Sequence, residues 1–98
     1  MVWDGLPLWM ELKTTKSNAV KVSPHQVAWH MVYYARGGLS FFLVKSLSSK
    51  ELFLFGGEKG PDLLKNGVQG TDGLRFPNPA SLFEGLRPRL VSHYSQFL

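Results

Sequence analysis

The stretch from Ser23 to Gly38 has the ends of a helix written at both of its boundaries. Ser23 is a capping residue, and Pro24 suits the first helical position, where its missing N–H loses no bond. Gln26 falls three after the serine and completes a capping box, with Val22 and Val27 spaced for a hydrophobic staple. Gly37-Gly38 accept the left-handed backbone that ends a helix. Inside it, Val27, Met31, Tyr34 and Ala35 recur at helical spacing and are expected to pack on a sheet, while Gln26, His30 and Tyr33 lie along a second stripe. This helix stands between two runs that read as strands. In Leu8-Trp9-Met10-Glu11-Leu12-Lys13, alternation puts Leu8, Met10 and Leu12 on one face and Trp9, Glu11 and Lys13 on the other. The next strand is expected over 40–47. Its Phe41-Phe42-Leu43-Val44 run does not alternate, so both of its faces should be covered. After Ser48-Ser49-Lys50, a further strand over 51–55 is expected to lie antiparallel to it. The order strand, helix, strand, strand predicts an α/β fold: a small mixed β-sheet flanked by helices.

The rest of the chain fits one domain of 98 residues. Residues 1–55 form the expected core, 56–79 a Gly/Pro-rich connection, and 80–98 a C-terminal helix. The connection holds no glycine pattern of the phosphate-cradling kinds, and one helical turn is expected at 61–65. The last helix carries an apolar stripe of Leu82, Phe83, Leu86, Leu90, Tyr94 and Phe97, and Pro88 is expected to kink or divide it. Cysteine is absent, which excludes disulfide staples and Cys-based zinc sites. No apolar run is long enough to span a membrane, and no signal peptide is visible, so a cytoplasmic setting is expected. The formal charge of +4 suits an anionic partner, although the positive residues are scattered.

Candidate chemistry lies with Glu11 and Lys13. Held on one strand face, a carboxylate and an ammonium can hold a divalent metal and orient a water beside a phosphate. The alternative is an exposed i, i+2 ion pair worth at most about 1 kcal/mol. The 14–21 segment reads as a loop whose Lys16 and Lys21 either contact phosphates or are simply solvated. Gln26 has a structural role in the capping box. His30 is either a packed or surface histidine or a nucleic-acid contact, and Trp29 and Tyr33 are either core or base-stacking groups. Asp4-Gly5 is a strong hairpin-turn dipeptide.

The E-x-K of Glu11-Leu12-Lys13, then a basic loop, then S-P-x-Q-x-x-W-H from Ser23 to His30, resembles the PD-(D/E)xK nuclease superfamily. Within it the pattern is similar to the virus-type replication-repair nuclease (VRR-NUC) branch, relatives of Holliday-junction resolvases. The match runs from about Gly5 to Val44. The resemblance implies a restriction-endonuclease-like core in which the strand after the helix lies parallel to the E-x-K strand. It implies a phage-type, Mg²⁺- or Mn²⁺-dependent DNA endonuclease, structure-selective on branched DNA, acting as a homodimer in the host cytoplasm. Glu11 and the backbone carbonyl of Leu12 would be metal ligands, Lys13 would orient the attacking water, and Gln26 would position Lys13 or a water. The family pattern also carries an earlier aspartate, often as Pro-Asp, and here Asp4 is the one acidic residue before Glu11. Asp4 is either that ligand or part of the hairpin turn, and the turn is the expectation. The alternative function is a non-catalytic nucleic-acid-binding module, or an N-terminally truncated subunit whose site another chain completes.

Overall fold

The computed structural model describes residues 2–3 and 6–95. Two short strands, β1 (Val2–Trp3) and β2 (Leu6–Pro7), pair antiparallel with each other. The main sheet has four strands in the order β3 (Trp9–Thr15), β4 (Ser40–Ser46), β5 (Leu52–Gly56) and β6 (Leu74–Phe76). β3 and β4 are parallel, and the other two pairings are antiparallel. The parallel pair requires a crossover, which is supplied by α1 (Pro24–Ala35). A 3-10 turn at Gly57–Lys59 leads into α2 (Gly60–Asn66), and α3 (Pro79–Ser95) closes the described chain. The mixed α/β architecture is the one expected from the sequence.

α1 begins and ends by the local rules. Gln26 N–H donates to Ser23 Oγ, and the Gln26 side chain accepts from Ser23 N–H, so the capping box is complete. At the other end Gly37 has φ +85°. Gly37 N–H donates to the Tyr34 carbonyl and Gly38 N–H to the Tyr33 carbonyl, which together form a Schellman motif.

Both faces of the sheet are covered, and successive residues of the central strands feed opposite sides. Phe42, Val44 and Phe55 join Val20, Val22, Leu63 and Val68 in one cluster, with Val27 of α1 packed against it. Phe41 and Leu54 join Leu8, Leu82, Leu86 and Leu90 in the other, beneath α3. This is the reason the Phe41–Val44 run lacks alternation.

Several expectations are corrected. On α1 the buried residue is His30, while Met31 and Tyr34 are exposed, as is Ala35; only Val27 of that stripe packs on the core. α1 therefore rests on the sheet through a narrower stripe, rotated toward His30. The connection contains a strand, β6, and a longer helix, α2, than the single turn expected. α3 runs unbroken through Pro88. Pro88 lies on the exposed side of α3, opposite Leu82, Leu86 and Leu90, where a carbonyl that loses its intrahelical N–H can be hydrated. Phe83 is 52% exposed rather than part of the buried stripe, whereas Tyr94 packs against the α3-side cluster; Phe97 lies outside the described residues. Among the described residues no helix is long and apolar enough to cross a membrane.

Candidate functional site

β3 is an edge strand, and its register decides where Glu11 and Lys13 point. Glu11 pairs with Phe42 and Lys13 with Val44, both members of the cluster under α1 and α2. Partners in a ladder share a face, so Glu11 and Lys13 are turned toward α1. Two residues along a strand advance about 6.6 Å. Four along a helix advance about 6 Å. The two spacings nearly match, so a pair at i, i+2 on β3 can meet a pair at i, i+4 on α1. Lys13 meets Gln26 and Glu11 meets His30, which means that α1 runs back along β3.

Lys13 Nζ donates to Gln26 Oε1 at 2.9 Å. The same oxygen accepts Ser23 N–H at 3.2 Å. The Gln26 side-chain oxygen thus caps α1 and accepts from Lys13 at the same time. Among the described residues Lys13 and Glu11 form no ion pair with each other; the nearest basic group to Glu11 is His30, with Nε2 at 3.8 Å from Oε1. Glu11 Oε1 also receives Trp9 Nε1–H at 3.4 Å. Its side chain is 26% exposed, so the carboxylate is reachable from solvent.

The ladder leaves the Leu12 backbone on the open edge of the sheet. Trp9 N–H donates to the Leu39 carbonyl, and Leu47 N–H to the Thr15 carbonyl. In a parallel pair alternate residues make the bonds, so Trp9, Glu11, Lys13 and Thr15 face β4. Met10, Leu12 and Thr14 then present their N–H and C=O outward. The Leu12 carbonyl is free to bind a cation beside the Glu11 carboxylate, and its side chain is 72% exposed. The set fits part of a Mg²⁺ shell, since that ion takes oxygen donors and keeps several waters. Asp4, the further candidate ligand, lies outside the described residues. Among the described residues no group of three or more His, Cys, Asp or Glu is placed to hold a metal.

His30 is 0% exposed, so the role of direct nucleic-acid contact is corrected: no strand can reach it. Its ring sits against Phe42, with centroids 4.2 Å apart, and Nδ1 lies 2.8 Å from Ser40 Oγ. Burial lowers its pKa from the ordinary histidine value, opposed by the nearby Glu11 charge. Ser40 and Gly57 stand behind it. A Cβ on Gly57 would fall 1.9 Å from Ser40 Oγ and 2.8 Å from His30 Nδ1. Neither residue carries a signal in the sequence, because each matters only through a neighbour distant along the chain.

The lysines of the loop come together. Lys13, Lys16 and Lys21 line one open cleft with Thr15 and Ser17. The loop is anchored: Asn18 Oδ1 accepts Gln69 N–H at 2.7 Å, and the Asn18 carbonyl accepts Val68 N–H at 2.9 Å. Thr15 Oγ1 closes its base on the Ala19 carbonyl at 2.7 Å. On the other side of Glu11, Trp9, Trp29 and Tyr33 form a row of rings. Trp9 and Trp29 centroids are 5.0 Å apart, and Trp29 and Tyr33 stack at 5.0 Å with an interplanar angle of 15°. Trp9 and Trp29 are both exposed.

No protein-family model, curated protein or solved structure matches this chain.

Proposed function

We propose that this chain is a metal-dependent DNA endonuclease acting at Glu11 and Lys13. The observation that carries the reading is the Lys13–Gln26 bond of 2.9 Å. A lysine and a glutamate two apart would ordinarily gain from pairing with each other. Here the ammonium is held by a helix-capping amide instead, and the carboxylate is left open toward solvent. Glu11 and the Leu12 carbonyl would hold a Mg²⁺ or Mn²⁺ ion. When bound, such an ion neutralises charge on a phosphate and acidifies a water. Lys13, fixed by Gln26, would orient the attacking water and stabilise charge on the phosphate oxygens. Lys16 and Lys21 would bind flanking phosphates along the cleft. The exposed Trp9–Trp29 row offers a stacking surface for unpaired bases, which favours branched or frayed DNA over a closed duplex. A homodimer would present two such sites to one junction.

Incubation of the pure protein with duplex, flap and four-way-junction DNA plus Mg²⁺ or Mn²⁺ tests this. Cleavage is expected, favouring the forms with unpaired bases, and lost with Glu11→Gln. The second reading, a nucleic-acid-binding module or a subunit completed by another chain, draws on Glu11 being joined here by a carbonyl rather than by a second described carboxylate. Tight binding to the same DNA panel without cleavage in either metal would select it.

A further inference from the structure

We propose that Ser40 and His30 are positioning residues for Glu11, with the imidazole locked as the Nε2–H tautomer so that it holds one carboxylate oxygen and leaves the other for a cation. The cation-binding part rests on the proposed nuclease reading; the lock itself does not.

The tautomer follows from Ser40. Its side chain is buried, and among the described residues its Oγ has one hydrogen-bond partner, His30 Nδ1 at 2.8 Å. A buried hydroxyl must place its hydrogen on an acceptor. Were Nδ1 the donor, the Ser40 hydrogen would have none. Ser40 O–H therefore donates to Nδ1, and the proton of the neutral ring sits on Nε2. That N–H is buried without a hydrogen-bond partner and lies 3.8 Å from Glu11 Oε1. A buried donor left unpaired is costly, because it has given up water and gained nothing in return. The glutamate side chain can recover this by moving about 1 Å to hydrogen-bond distance. Oε1 thus has two N–H groups converging on it, from His30 and from Trp9. Oε2 has no partner among the described residues and remains for a metal or a water.

The same deduction keeps His30 Nε2 from binding the cation itself, because a ring nitrogen must be unprotonated to bind a metal. Gly57 completes the device from behind. With no Cβ it lets Ser40 Oγ take up the position from which it reaches Nδ1. Four elements meet here: β3 supplies Glu11, α1 His30, β4 Ser40, and the 3-10 turn Gly57. Hydrogen bonds to a ligating carboxylate are worth 10–100-fold in metal affinity as an order of magnitude.

Two measurements on the full chain test this. Imidazole ¹⁵N–¹H correlation spectra of the wild type should show His30 with a bare Nδ1 and a protonated Nε2. Ser40→Ala should disturb that pattern while His30 stays buried. Mn²⁺ binding, read by water-proton relaxation without DNA, should weaken about 10–100-fold in His30→Leu. It should be largely kept in His30→Gln, whose amide N–H can stand where Nε2–H stood. An Nδ1–H tautomer in the wild type overturns the lock. Equal Mn²⁺ affinity in wild type and His30→Leu overturns the positioning role. If His30→Leu does not fold, Ser40→Ala decides: an unchanged tautomer and unchanged Mn²⁺ affinity overturn the proposal. No Mn²⁺ binding by a wild type that shows the expected tautomer supports the lock and overturns the metal-site reading alone.

Discussion

The two faces of the sheet are built from the same strands and do different things. The face under α3 is apolar throughout, with Leu82, Leu86 and Leu90 laid on Leu8, Phe41 and Leu54. The face under α1 has an apolar centre of similar kind. Yet it also buries His30, Ser40 and Thr15 and carries Glu11, Lys13 and Gln26 at its margin. Polar groups cost free energy when buried unless each finds a partner. On the α1 face Lys13 pairs with Gln26 and His30 with Ser40 across elements, Thr15 bonds the Ala19 carbonyl, and the His30 and Trp9 ring N–H groups converge on Glu11. The α3 face is stabilised chiefly by apolar burial, with a polar contact at the helix end, where the His93 ring lies 3.0 Å from the Gly37 carbonyl. The other gives up apolar area for a small, connected polar set at a sheet edge.

Substitutions on the two faces should therefore separate function from stability. The largest expected effect is on cleavage. Glu11→Gln and Lys13→Ala should each lower it by about 100-fold or more, the scale of losing a group that stabilises transition-state charge. Thermal or urea unfolding of the same variants should change by no more than about 1 kcal/mol, since both side chains are partly exposed. A large loss of stability with unchanged cleavage would make the Lys13–Gln26 bond a structural tie only. The converse comes from α3. Leu86→Ala should cost about 2–5 kcal/mol by transfer and cavity terms, with the DNA affinity of the folded fraction retained.

A smaller effect separates the faces by pH. His30 has a lowered pKa in the fold, caused first by burial and countered by Glu11. The unfolded chain therefore takes up the proton first as pH falls. Stability contributed by neutral His30 is fully present above about pH 6.5 and declines as pH drops below that value. Urea midpoints from pH 7.5 to 5 should show this decline in wild type and a flatter profile in His30→Gln. A slope that persists in His30→Gln would assign the pH dependence elsewhere. The smallest effect concerns Lys16 and Lys21. Replacing either by Ala should lower the slope of log DNA affinity against log salt by about one unit, and leave unfolding unchanged. DNA binding that ignores salt would remove the cleft from the proposed interface.

The features readable from the chain alone are those whose causes lie within a few residues. α1 was delimited by Ser23, Pro24, Gln26 and Gly37-Gly38, because a helix end is satisfied by groups one to four positions away. Glu11 and Lys13 share a face because the strand period is two. The Phe41–Val44 run shows double burial for the same reason. What the tertiary structure alone decided depends on contacts distant in sequence. β6 is a strand of three residues whose definition comes from β5; its own sequence carries too few positions to show a period. Lys13 bonds Gln26 rather than Glu11 because α1 runs back along β3 with matched spacing. His30 is buried because α1 is rotated to place that side on Phe42, a contact between residues twelve apart that the local sequence does not specify. Ser40 and Gly57 enter the site through His30, and packing, not local propensity, brings them there.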